Sequence, residues 1–396
     1  MLTSIALILL LGLLLGWVFS KLKLPSLLGM ILVGILLGPH VFDLIDDSIL
    51  MISKDLRQIA LVIILTRAGL SLDISDLKRV GRPAVLMCFV PACAEICGTM
   101  LLAPLLLHVS VLDAAIIGSV IAAVSPAVVV PRMIRLMEEG YGTDKSIPQL
   151  ILAGASVDDV FVIVVFTAVT GLAATGTFSA IELLQIPISI VLGCLLGGAV
   201  GAALVAFFKA YHMRDSVKLL IILSISFLLL ELQNRLEGII PISGLLAVMS
   251  MGIMLKQRYD ILAVRLSAKY NKLWIGAEIF LFVLVGAAID LNYAAAAGAF
   301  AVLLILGALI CRMLGVAVSL TKTQLNPKER LFCALAYTPK ATVQAAIGAL
   351  PLSMGLACGN LALTVAVLSI LITAPFGAIC IDRLHDKLLI KQKPQQ

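Results

Sequence analysis

LAGASVDDVFVIVVF, residues 152–166, decides how this 396-residue chain is read. Asp158 and Asp159 stand side by side in a run that is otherwise uncharged from Ile147 to Ala174. A run of that length crosses a bilayer as one helix. An acid at the centre of such a helix costs about 2.5–3.5 kcal/mol on insertion scales, so two in succession point to an ion or proton site rather than to packing. Neighbours on an α-helix project about 100° apart, so the two carboxylates cannot face one partner and take different roles.

The rest of the chain agrees with a membrane setting. It is 61% hydrophobic and 13% charged, with a mean hydropathy of +1.14, outside the range of soluble domains. The apolar runs predict an all-α polytopic membrane protein of about thirteen transmembrane helices. The first, over 2–19, lacks the basic start and small-residue cleavage site of a secretory signal and is followed by Lys21 and Lys23, so it is expected to be retained. If the N-terminus lies outside and every span reverses direction, nearly all of the 29 Lys and Arg residues fall on the inner side. Lys54, Arg57 and Arg235 fall outside; Arg67, Arg312 and Lys340 lie at membrane depth. A cell-membrane protein with a cytoplasmic C-terminus follows. The net charge of +6 then belongs to cytoplasmic helix ends and calls for no nucleic-acid partner. The eight cysteines show no metal-ligand spacing and are expected to pack as small apolar residues.

The chain also matches itself at an offset of 217 residues, pairing Gly69 with Gly286, Ala84-Val85-Leu86 with Ala301-Val302-Leu303 and Gly98 with Gly315. The preceding spans, 24–38 and 240–255, correspond with a small shift. Seven spans separate the copies, and an odd number turns the second upside down relative to the first. Inverted repeats belong to secondary transporters, with the site at midplane between them. The fifth span carries Ser125-Pro126 and Pro131 at mid-depth, and the twelfth carries Thr338-Pro339-Lys340. Proline disfavours helix in the preceding residue and removes a donor, so both spans are expected to break there. Glu95 and Arg312 occupy equivalent repeat positions, which predicts a buried ion pair near the pseudo-two-fold axis. Lys340 is too deep to snorkel and is expected to pair with one aspartate; Arg67, nearer a span end, is expected to snorkel.

AVSPAVVVPRMIRLMEEGYG (123–142), GASVDDV, TPKATVQAAIG (338–348) and VLSILITAPFGAI (367–379) together resemble the NHA-type sodium/proton antiporters of the cation/proton antiporter superfamily. The resemblance implies the sodium/proton antiporter fold with its two crossing broken helices, a core that moves against a dimerisation domain, and a transporter rather than an enzyme. It implies Asp159 as the main ion-binding acid, Asp158 as the partner of Lys340, and Glu95 with Arg312 as a core salt bridge. Dimerisation-domain parts are placed at 1–81 and 216–292, core parts at 82–180 and 293–396, and a linker helix at 181–215. The expected function is sodium (or lithium)/proton exchange, with cation and proton competing for one carboxylate and oxygen ligands from Asp158, Asp159, Ser125, Ser156 and the broken backbone around Pro126, Thr338 and Pro339. No cofactor is expected beyond the transported ions. The alternative on the same fold is a potassium/proton antiporter or a proton-coupled solute carrier. An intramembrane aspartyl protease needs acids on opposite sides of a peptide bond, which adjacent residues on one helix do not supply. A homodimer is expected through the first and eighth spans, the first offering Gly12 and Gly16 as a small-residue face.

Overall fold

The computed structural model describes residues 1–71, 81–175, 180–236 and 240–391, apart from the side chains of residues 156, 174–175, 180–187 and 291–297. Among the described residues the elements are all helical. In order they are α1 (Leu2–Lys21), α2 (Ser26–Leu37), α3 (Asp47–Met51), α4 (Ser53–Ser71), α5 (Arg82–Met87), α6 (Val90–Leu107), α7 (Val111–Ile121), α8 (Pro126–Glu139) and α9 (Ile147–Thr175). There follow α10 (Ala180–Ala210), α11 (Asp215–Leu236), α12 (Gly244–Arg258), α13 (Asp260–Ala287), α14 (Leu291–Ser319), α15 (Pro327–Ala336), α16 (Thr342–Ile347), α17 (Leu350–Ser353) and α18 (Gly359–Leu388). Eight stretches among the described residues are long and apolar enough to cross a bilayer unaided. The other expected spans are short, as α2 and α12 are, or charged, as α4 is with Lys54, Asp55, Arg57 and Arg67, so the thirteen do not all stand out by length and composition.

Packing divides the chain into two units, Met1–Met51 with Ser75–Phe166 and Phe282–Gln396, and Ile52–Ile74 with Thr167–Leu281. In this division α1 and α2 fall in the first unit. The reason is a close helix crossing: a Cβ on Gly286, at the end of α13, would stand 3.1 Å from the Cα of Gly34 in α2. The second unit repeats this contact with its own residues. There a Cβ on Gly252 of α12 would stand 3.0 Å from the Cα of Gly69 in α4. Gly69 and Gly286 are the residues related by the 217-residue offset, so each repeat copy makes the same kind of backbone-to-backbone contact.

Gly12 and Gly16 of α1 are both buried, and a Cβ on Gly16 would meet Met30 Cε at 3.3 Å and the Ser26 carbonyl oxygen at 3.5 Å. This corrects the expectation that they offer a face to a second copy: α2 of the same chain already covers it. The exposed face of α1 is instead formed by bulky residues, Leu10, Leu13, Leu14 and Trp17.

In the first unit, α6 and α14 pack along their lengths. Gly98 and Gly315, another repeat pair, make that crossing close: a Cβ on Gly315 would stand 2.8 Å from Pro91 Cα. Beside them the chain unwinds twice. The α7 helix stops at Ile121 and α8 starts at Pro126, whose missing N–H is no loss at a helix's first position. Ser125 before it is extended, as a pre-proline residue prefers. Pro131 lies inside α8 and does not end it. The second break runs from Tyr337 to Ala341, between α15 and α16. At the far end of α15, Asn326 and Glu329 form a reciprocal capping box, and the buried Glu329 also binds Lys145 at 2.8 Å. After α18, Tyr141 and Lys391 form an antiparallel bridge, and the Gly142 N–H donates to the Ile390 carbonyl at 2.8 Å.

Candidate ion-binding site

The two unwound stretches touch directly. The N–H of Ser125 donates to the Pro339 carbonyl at 2.8 Å, which joins the repeats through their main chains. Unwinding leaves further backbone groups without helical partners, and in a buried site each must be satisfied by other means. Arg312, at 0% exposure, does part of this. Its Nε donates to the Tyr337 carbonyl at 2.7 Å and its Nη1 to the Ala122 carbonyl, so one guanidinium holds both breaks. Its plane also lies 5.4 Å from the centre of the Tyr337 ring.

The same guanidinium binds two acids. Nη1 lies 3.0 Å from Glu95 Oε2, and Nη2 lies 2.8 Å from Asp158 Oδ2. The structure thus brings Glu95 and Arg312 together, 217 residues apart in sequence. Asp158 Oδ2 also accepts from the Val124 N–H at 2.8 Å, which ties the acid to the first break.

Lys340 departs from the expected pairing. Its Nζ lies 2.5 Å from Glu95 Oε2 and forms no hydrogen bond to Asp158, whose cationic partner is Arg312. The Lys340 N–H donates to Thr373 Oγ1 at 3.0 Å, and Asp158 Oδ2 is already bound by Arg312 and the Val124 N–H. Arg67 is half-buried, and Glu278 lies within electrostatic range of it.

Charge accounting singles out one residue. Glu95 and Asp158 are balanced by Arg312 and Lys340, and all four are at least 99% buried. Asp159 forms no hydrogen bond or ion pair among the described residues, and its Oδ1 is buried without a partner. Asp158 Oδ1, Ser125 Oγ and Thr342 Oγ1 share that condition. Buried polar atoms are rarely left unpaired, so these oxygens are candidate ligands for a hard cation. Ser156 lies on α9, but its side chain is outside the described residues. Pro126, Thr338 and Pro339 shape the breaks; the Thr338 hydroxyl bonds back to Leu335 at 2.8 Å.

Sequence reasoning missed several participants. The Ala122 and Tyr337 carbonyls carry no side-chain signal, and Thr373 and Thr342 are ordinary hydroxyls in apolar helices. Glu278 and Gln344 were legible as lone polar residues at depth, Gln344 inside the quoted PKATVQAAIG.

Acids at the crossing of two broken helices, one from each repeat, define a secondary membrane transporter. The chain belongs to the sodium/hydrogen exchanger family: the family model described as "Sodium/hydrogen exchanger, transmembrane" matches residues 5–385. It is 34% identical over 389 residues to human sodium/hydrogen exchanger 9B2, covering 94% of this chain and 71% of that protein. To human sodium/hydrogen exchanger 9B1 it is 30% identical, covering 93% and 73%. Its fold matches the sodium proton antiporter MjNhaP1 from Methanocaldococcus jannaschii with a TM-score of 0.84, at 24% identity and 97% coverage of each chain.

Proposed function

We propose that this chain exchanges sodium or lithium for protons by alternating access, with cation and proton competing for Asp159. The observation that carries the reading is the charge count: four buried charges cancel, and Asp159 is left as the acid whose state can change. Protonated, it makes the site neutral. Deprotonated and holding a monovalent cation with Asp158 Oδ1 and Ser125 Oγ, it is neutral again. Only the empty, ionised site carries a net charge, and moving that charge through the bilayer is costly. Both loaded forms cross and the empty one does not, which couples the fluxes.

On this reading the N-terminus lies outside and the C-terminus in the cytoplasm of a cell membrane, which the one-sided distribution of Lys and Arg supports. The exposed Leu10, Leu13, Leu14 and Trp17 face of α1 is where a second copy would dock. Proteoliposomes loaded with a pH-sensitive dye test the reading. Sodium and lithium are expected to drive proton movement, and Asp159→Asn to abolish it. Exchange driven by potassium alone, or by a solute, would replace the cation assignment while keeping the site.

A further inference from the structure

One buried amide joins both breaks. Gln344, at 0% exposure, is in the first turn of α16. Its Nε2 donates to the Ala123 carbonyl at 2.8 Å and to the Ile121 carbonyl at 3.3 Å. Its Oε1 accepts from the Ala341 N–H at 2.8 Å. Ile121 and Ala123 hold carbonyls left over where α7 ends; Ala341 holds an N–H left over where α16 begins. The negative end of one half-helix and the positive end of the other therefore meet at a single side chain. Only an amide supplies two donors and an acceptor from one planar group. A carboxylate would turn an acceptor toward two carbonyls, and an apolar side chain would leave all three backbone groups unpaired.

The position of this amide bears on the ion site, although it touches none of the proposed ligands. Ala123 directly precedes Val124, whose N–H orients Asp158, and two residues later comes Ser125 with its unpartnered hydroxyl. Arg312 holds the Ala122 carbonyl from the other side. The carbonyls of residues 121–123 are thus held by two side chains from the opposite repeat, Arg312 and Gln344, just ahead of Val124 and Ser125. Arg312 also neutralises acids, whereas Gln344 is uncharged and acts through geometry alone.

The geometry points to Gln344 as a positioning residue that sets cation affinity, by holding the first unwound segment in the conformation that aims Ser125 Oγ and Asp158 Oδ1 at one ion. This rests on the exchange reading above. Its signature is selective: the carboxyl of Asp159 accepts a proton without help from this segment, while a cation needs several oxygens at once.

The test compares wild type, Gln344→Met, Gln344→Glu and Asp159→Asn as full-length protein in proteoliposomes, across a sodium series. It also measures the rise in melting temperature that sodium produces in detergent. Gln344→Met is expected to raise the apparent KM for sodium about tenfold or more, the factor a single lost interaction of ordinary strength gives. Its maximal rate should stay within about threefold of wild type, an effect under half as large in free energy. Sodium should also lose its stabilising effect on the variant. Gln344→Glu, which keeps the bond to Ala341, should show the same KM shift. Folded variants with wild-type KM and wild-type sodium stabilisation would overturn the proposal. So would failure of both variants to fold, which would assign Gln344 to stability alone. Asp159→Asn separates the two readings: if it still exchanges, the function itself is misassigned; if it is dead while Gln344→Met matches wild type, only the positioning role falls.

Discussion

The Lys340 ammonium lies 2.5 Å from Glu95 Oε2, the same oxygen that Arg312 approaches at 3.0 Å. One carboxylate thus compensates two buried cations, and its loss is felt twice. Glu95→Gln is expected to cost about 3–5 kcal/mol of stability, the usual penalty for orphaning a buried charge. Lys340→Gln should cost less, because Arg312 still compensates Glu95. In a cycle of Glu95→Gln with Arg312→Gln, melting data should show coupling of at least about 1 kcal/mol; additive losses would mean the contact does not form.

The two adjacent aspartates should separate under mutation. Asp159→Asn removes no observed bond, so its stability should stay within about 0.5 kcal/mol of wild type while coupled exchange disappears. Asp158→Asn weakens charge-assisted bonding to Arg312 and should cost about 1.5–3 kcal/mol as well as activity. Melting temperatures measured beside dye-based exchange rates would show the contrast. Equal stability losses would contradict the charge accounting.

Lys340 and Arg312 remain engaged by Glu95 and Asp158, so the cycle should carry one proton against one cation. A net charge would couple to the membrane potential by about 2.3 kcal/mol per 100 mV. Exchange rates are therefore expected not to change when a potassium-diffusion potential is imposed with valinomycin. Rates that follow the potential would require a second proton, and Lys340→Gln should then abolish that dependence.

Gly98 and Gly315 are related by the repeat, and alanine should be costly at both. At Gly98 the added methyl meets Cys311 Sγ at 2.5 Å, which a rotamer change can move, and Cys311 Cβ at 2.8 Å, which it cannot. At Gly315 it meets the Pro91 backbone at 2.8 Å. Gly315→Ala and Gly98→Ala should each cost about 1–3 kcal/mol, the range for overpacking. Thermal unfolding in detergent decides, and unchanged melting of either variant would contradict the α6·α14 crossing.

The membrane class, the repeat, both breaks and the family were legible because each leaves a pattern in side-chain type: apolar runs, prolines at mid-depth, charges where charges are costly. Three matters were not. The partner of Lys340 depended on which of two nearby acids was already engaged, Asp158 being bound by Arg312 and the Val124 N–H, and spacing does not encode that. The Gly12–Gly16 face looked available because sequence shows that a helix can be approached closely, but not by what; α2 had taken it. The bonds that hold the site's unwound segments run largely to main-chain carbonyls, which every residue carries, so Ala122 and Tyr337 looked no different from their neighbours.

The bridge between Tyr141 and Lys391 continues inward by one more step. Gly142 donates to Ile390 and, through its own carbonyl, accepts from the Ile147 N–H at 3.0 Å, the first residue of the helix that carries both acids. Peptide groups thus form an unbroken tether from the segment after α18 to the start of α9. The segment after α18 and the start of the aspartate helix are joined by peptide groups alone, two hydrogen bonds apart, with no side chain needed to keep them together.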